Sequence, residues 1–252
     1  MTQQEALFKY LLRLGDTSLV HSQRLSEWCS NAPFIEEDLA LTNFALDMIG
    51  RSQVLLKYAG EVEGKGKTDD MLAYRRNERQ YFNCLLVEMP NGDFGVTMVR
   101  LLFVAAFEKE LFTALQNSKD ETIAALAKKT LKEVRYHLEH AADWVVRLGN
   151  GTEESHARVQ NAVNDLWMFT GDMFDMDESD KLLIEAGIAV DLSSIKTVWD
   201  AYISSVLNAA SLKKPVATYM QSGSKNGIHT EHLGHLLGEM QYLQRAYPDA
   251  HW

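Results

Sequence analysis

The sequence predicts an all-α fold, a bundle of long antiparallel helices with additional flanking helices, and three observations carry that expectation. Apolar residues recur every three or four positions over long stretches, as one buried helix face requires. Pro33, Pro90, Pro215 and Pro248 each fall beside a break in that periodicity and never inside it. No segment has the alternation and turn chemistry of a hairpin. The 252 residues contain no linker of proline, serine or like charge, so the chain reads as a single domain over 1–252.

The pattern places helices at roughly 3–14, 17–30, 36–62, 68–86, 94–117, 119–149, 153–175, 193–210 and 228–246. The first two are parted at Gly15 and Asp16. The third is apolar nearly all round, through Leu39, Ala40, Leu41, Phe44, Ala45, Leu46, Met48 and Ile49, and is therefore expected at the centre of the bundle. Its Gly50 costs about 1 kcal/mol against alanine in a helix interior, which close approach of a neighbouring helix would explain. After the segment at 68–86, Pro90-Asn-Gly-Asp93 is a turn whose aspartate can cap the helix at 94. Ser118-Lys-Asp-Glu121 reads as a capping box for the next helix. That helix carries one apolar stripe, Ala127, Leu131, Val134, Leu138, Ala141, Val145 and Leu148. Gly149-Asn-Gly-Thr152 ends it and caps the helix at 153.

A formal net charge of −10 and the lack of a clustered basic tail exclude nucleic-acid binding, which needs grouped Lys and Arg against phosphate. Cys29 and Cys84 sit in apolar helical contexts without metal-ligand spacing, so buried thiols are expected rather than a disulfide. No run of about 18 apolar residues and no signal-like start occur, so neither a membrane span nor export is expected, and the cytoplasm is the expected compartment.

Polar residues at core positions are the candidate site. Glu108 shares a face with Leu101, Val104, Leu111 and Leu115, pointing either inward or at the rim. Glu133 and His137 stand four apart beside the apolar stripe, as metal donors or as an intrahelical pair. Asn43, Asp47 and Arg51 follow at four-residue intervals on the most apolar helix, and Arg24 lies with Glu27 on the helix before it. A di-iron carboxylate bundle takes a glutamate from each of two helices and a Glu-x-x-His from each of two others. The sequence has Glu-x-x-His once, at Glu153–His156, where it reads as a first-turn acidic cluster. Arginine cannot ligate iron, and Arg51 among inward carboxylates would neutralise them as a metal otherwise does. His229, His232 and His235 gather near the end of the chain, but two histidines three apart without a third ligand are capping and packing groups rather than a zinc site.

Several longer stretches carry a family resemblance: Leu14-Gly-Asp16, Ser22-Gln-Arg-Leu-Ser-Glu-Trp28, Asp38-Leu-Ala-Leu41 with Asp47 and Gly50, Leu86-Val-Glu-Met-Pro-Asn-Gly92, Lys132-Glu-Val-Arg-Tyr-His137, Arg147-Leu-Gly-Asn-Gly-Thr152 and His229-Thr-Glu-His-Leu-Gly234. In this order, from about residue 10 to Trp252, they resemble the C-subunit family of the bacterial ring-1,2-phenylacetyl-CoA epoxidases, within the ferritin-like superfamily. The resemblance implies a ferritin-like bundle and a structural, non-catalytic role in aerobic phenylacetate catabolism. The implied partner is the homologous catalytic A-subunit, which holds the iron. The implied NADPH-dependent monooxygenase is completed by a reductase and a small accessory protein. Hetero-oligomer formation follows, with a homodimer as the form open to the isolated chain.

Where Met48-Ile-Gly-Arg51 stands, a catalytic relative is expected to carry Glu-x-x-His, and Val134 stands three before His137 where glutamate is expected. On that registration Arg24, Asn43, Asp47, Met48, Arg51, Glu108, Glu133 and His137 form a degenerate metal centre, a buried polar network without cofactor. The competing reading is a di-iron or di-manganese oxygenase with the unusual ligands Asp47, Glu108, Glu133 and His137. A storage or DNA-protecting ferritin is disfavoured by the missing ligands and the missing basic tail.

Overall fold

In a computed structural model the described residues are 1–216, 219–248 and 250, and Trp252, where the resemblance ends, lies outside them. Ten α-helices and several 3-10 turns make up the described chain, with no strand among the described residues. They group into two compact units.

The first unit comprises residues 1–90, 177–182 and 223–252. Its frame is α1 (Gln3–Ser26) packed on α2 (Ile35–Glu63). Gln4 donates to the Val62 carbonyl, Ser52 to the Gly15 carbonyl, and Arg51 to Ser18, so partners run in opposite directions along the two helices. The break expected at Gly15 and Asp16 does not exist: α1 runs unbroken through both. Gly15 is the point of closest approach, where an added Cβ would stand 2.8 Å from Leu56 Cδ2. Asp16 is tolerated in a helix interior because its carboxylate is buried against Arg76.

The long helix expected over 68–86 shrinks to α3 (Asp69–Tyr74) followed by two 3-10 turns. Cys84 is half-buried at the start of the second turn, and Cys29 is exposed beyond the end of α1. Neither is the buried helical thiol expected, because both helices stop short of them; neither forms a disulfide. The centrality expected of α2 also fails, since Leu39 and Leu46 are 59% and 60% exposed and an added Cβ at Gly50 meets nothing within 4 Å. The unit is completed by residues 177–182 and by α9 (Glu231–Met240) and α10 (Tyr242–Ala246), two helices where one was expected.

The second unit, residues 91–176 and 183–222, is built around α4 (Phe94–Leu115). Every residue from Thr97 to Ala106 is buried, and α5 (Glu121–Gly149), α6 (Glu153–Trp167) and α8 (Leu192–Ala209) all pack on this helix. The α5 stripe is buried from Ala127 to Val145, with Leu148 half-buried. Phe103, Trp167, Phe174 and Trp199 stack edge to face, and Trp199 Nε1 donates to the Phe103 carbonyl at 2.9 Å. That bond satisfies the polar edge of a buried indole.

The caps largely follow the sequence. Asp93 Oδ1 accepts from Val96 N at 3.0 Å, and Thr152 caps α6 reciprocally with Ser155. The box expected at Ser118–Glu121 is displaced: Asp120 is the cap, accepting from Ile123 N, while Ser118 donates to the Ile188 carbonyl. A short helix that periodicity missed, α7 (Glu178–Glu185), lies between α6 and α8.

Candidate functional site

The eight sequence candidates divide between the units. Arg24, Asn43, Asp47, Met48 and Arg51 belong to the first, Glu108, Glu133 and His137 to the second. Arg24 lies buried near the end of α1. Its Nε and Nη2 donate to the Glu88 carbonyl at 3.0 and 2.7 Å, and Nη1 donates to Glu27 Oε1 at 2.7 Å. It therefore fastens the 3-10 turn around Glu88 to the first helix. On α2, Met48 and Arg51 are buried, Asp47 is half-buried and Asn43 is exposed. The single face expected for 43, 47 and 51 is spread because each four-residue step overshoots a turn by about 40°. Arg51 Nε donates to Ser18 Oγ at 2.9 Å, and Ser18 Oγ in turn donates to the Leu14 carbonyl.

In the second unit, Glu108 on α4 and His137 on α5 are both buried on helices that pack together, with Glu133 half-buried one turn earlier. His156, of the Glu-x-x-His segment, places Nδ1 2.7 Å from the Gly149 carbonyl, and Glu153 is exposed in the first turn of α6. No group of three or more His, Cys, Asp and Glu side chains is gathered for a metal ion among the described residues. Arg51 and Met48 are not donors that a di-iron pair takes: a guanidinium has no lone pair to give, and the Met48 thioether is a soft donor where hard cations take carboxylates.

The densest polar chemistry stands elsewhere in the first unit, at Glu88, which the sequence did not single out, and at His229, which it read as a capping or packing group. Glu88 is fully buried and accepts from Asn83 Nδ2, Thr230 N, Thr230 Oγ and His229 Nδ1, the last at 2.5 Å. His229 Nε2 stands 2.8 Å from the Tyr81 carbonyl, so both ring nitrogens face acceptors, an arrangement only the doubly protonated imidazolium satisfies. Burial works against that charge, but the Glu88 carboxylate and the Tyr81 carbonyl outweigh it and raise the His229 pKa. His232 contributes only its carbonyl, to Arg24, and His235 is exposed.

A second node joins Asp16 and Arg76 through two contacts, with Phe82 N donating to the same carboxylate at 2.9 Å. Burial lowers the Arg76 pKa, but the Asp16 carboxylate more than restores it, so the guanidinium keeps its charge. Tyr81 and Gln241 extend this node to the end of α9. A third joins Arg13 to Asp177, Asp180 and Ser179, with Lys225 donating to Asp180 at 2.7 Å. Burial pushes Asp177 up, yet Lys9, Ser179 and Arg13 hold it well below the usual carboxylate range.

Asp16 was findable in the sequence, as a charge among Leu12, Leu19 and Val20 on the buried face of a helix. The pairings of Glu88 with His229 and of Asp180 with Lys225 left no local signal, because the partners lie 141 and 45 residues apart. Between them the three nodes tie residues 177–182 and 223–246 to α1. The carboxylates of Glu88, Asp16, Asp177 and Asp180 all accept from the chain's own donors, and these bonds fasten the segments together.

The fold and these fastened interiors define a class: an all-α protein of long packed helices whose buried charges serve cohesion. The chain belongs to the phenylacetic acid catabolic protein family, whose model matches residues 1–252. It is 49% identical over 246 residues to the C-subunit of the 1,2-phenylacetyl-CoA epoxidase of Escherichia coli strain K12, covering 98% of this chain and 99% of that protein. Family membership bears out the resemblance read from the motifs and the ferritin-like fold class it implied. No helix among the described residues is long and apolar enough to cross a membrane.

Proposed function

We propose that the chain is the structural, non-catalytic subunit of a phenylacetyl-CoA epoxidase, acting in the cytoplasm in aerobic phenylacetate catabolism. It binds the iron-bearing catalytic A-subunit, keeping it folded and correctly assembled, beside the reductase and the small accessory protein. The observation that carries this reading is the match to an epoxidase C-subunit over 98% of this chain and 99% of that protein. The chemistry of α2 supports it: Arg51 brings a fixed positive charge to the position where the family resemblance expects a ligand. The whole chain acts as one ferritin-like domain, for which a single cooperative unfolding transition is the expected sign.

The test is co-expression with the catalytic partner. The expected outcome is a stable complex in which the catalytic chain stays soluble, with iron following that chain alone. About two irons bound per chain by the isolated protein, the occupancy of a di-iron bundle, would sink the proposal. That result would favour an oxygenase using Asp47, Glu108, Glu133 and His137. Conversely, Met48→Glu with Arg51→His and Val134→Glu should raise iron affinity, and no gain would refute the registration of the lost site.

A further inference from the structure

The outer face of α2 carries apolar residues that the chain itself leaves uncovered. Ile35, Leu39, Leu46 and Gly50 follow at steps of four, seven and four, which places them within an arc of about 60° at 100° per residue. Ile35 is 71% exposed, and Val54 extends the stripe one further turn. From 35 to 54 this face is about 28 Å long at 1.5 Å per residue, enough to seat a partner helix of five turns.

Gly50 is the feature that a merely greasy surface does not explain. Among the described residues, nothing beyond its own helical turn lies within 4 Å of a Cβ added there. Its small size therefore does not serve packing inside this protein, although glycine lowers helix stability. A glycine on an exposed helix face lets another backbone approach closely, since interaxial distance is set by the side chains at the crossing. Beside it, between α2 and α3, a groove of about 280 Å³ is lined by Leu46, Ile49, Gly50, Gln53, Asp69 and Tyr74.

Charge selects the occupant. Between Phe34 and Leu56 the one basic residue is Arg51, which is buried, and the exposed Lys57 stands only at the far end of the stripe. Glu36 and Asp38 flank the stripe on either side, and Asp69 and Asp70 border the groove. An isologous contact with a second copy would set the same acidic patch against itself, and an anionic lipid surface would be repelled likewise. We infer that this face docks a helix of a different chain, with an apolar ridge crossing at Gly50 and lysine or arginine along its flanks. Resting on the function proposed above, that chain is the catalytic component of the epoxidase.

Binding of the purified catalytic component to wild type and four variants decides it, with thermal unfolding of each variant alongside. Gly50→Leu has room in the free chain, so it should fold with an unchanged or higher Tm yet bind about tenfold more weakly or worse. Leu46→Asp should do the same. Asp69→Lys with Asp70→Lys should weaken binding and flatten its salt dependence. Val198→Asp, on an exposed apolar position of α8, should bind as wild type does. Full affinity of Gly50→Leu and Leu46→Asp overturns the surface while leaving the helper role intact. Failure of wild type itself to bind overturns the helper role and this inference with it. A wild-type homodimer that Gly50→Leu dissolves overturns the inference in favour of a second copy as occupant.

Discussion

Helices α2 and α4 have much in common as sequences: both are long, both carry Leu, Ala, Phe, Val and Met on more than one face, and α4 is the more apolar of the two. The structure treats them oppositely. α4 is wrapped by α5, α6 and α8, with ten consecutive residues buried from Thr97 to Ala106. α2 buries Leu41, Phe44, Met48, Leu55 and Leu56 and leaves Leu39, Leu46 and Val54 in solvent. An apolar helix thus declares that it will be covered, but its hydropathy does not say whether the cover comes from its own chain. Under the function proposed above, that distinction marks where the partner docks.

The comparison can be broken most forcefully at α4. Phe103→Ala removes a ring held between Trp167 and Trp199 and should cost about 3–5 kcal/mol in urea unfolding, as large-to-small core changes do. A loss below about 1 kcal/mol, the range of ordinary surface changes, would mean that α4 is not the core helix described.

Within α2 the two faces should respond to the same substitution with opposite signs. Gly60→Ala puts a Cβ 2.2 Å from the Lys67 carbonyl and should destabilise by about 1–3 kcal/mol through overpacking. Gly50→Ala meets no neighbour and should stabilise the free chain by about 0.5–1 kcal/mol. Equal effects at the two glycines would erase the distinction between the faces.

The pH dependence of the first unit is gentler. The His229 pKa is raised in the folded state above its ordinary 6.5. Its contribution is therefore fully present below about pH 6.5 and is lost as pH rises through the folded value. Stability should decline across that alkaline window, and His229→Gln should flatten the decline in denaturation curves taken at stepped pH. Least of all, Leu46→Ser should change the stability of the isolated chain by under about 0.5 kcal/mol, as surface substitutions do.

Much of the helical layout was legible because periodicity and caps are local: the α5 stripe, the Asp93 cap and the Thr152 cap stand as read. The misreadings came where tertiary contact overrides local preference. Gly15-Asp16 looks like a break until Leu56 presses on the glycine and Arg76 answers the aspartate. The polar candidates on α1 and α2 were partly visible, Arg24 and Arg51 being charges set among apolar neighbours, while Asn43 drifted to the surface through helix geometry alone. Glu88 and His229 were out of reach, because a buried acid and the base that neutralises it are 141 residues apart.

That separation has a bearing on how the protein is made. The first two helices leave the ribosome early, but Lys225, His229, Thr230 and Gln241, which complete Asp180, Glu88 and Tyr81, come after the whole second unit. At about 5–20 residues per second, the roughly 130 intervening residues take on the order of ten seconds to synthesise. For that interval the nascent first unit holds Glu88 without its counter-cation and, on the docking proposed above, an apolar stripe without its cover. It is a natural client for chaperones, and simultaneous translation of a partner chain nearby would shorten its exposure.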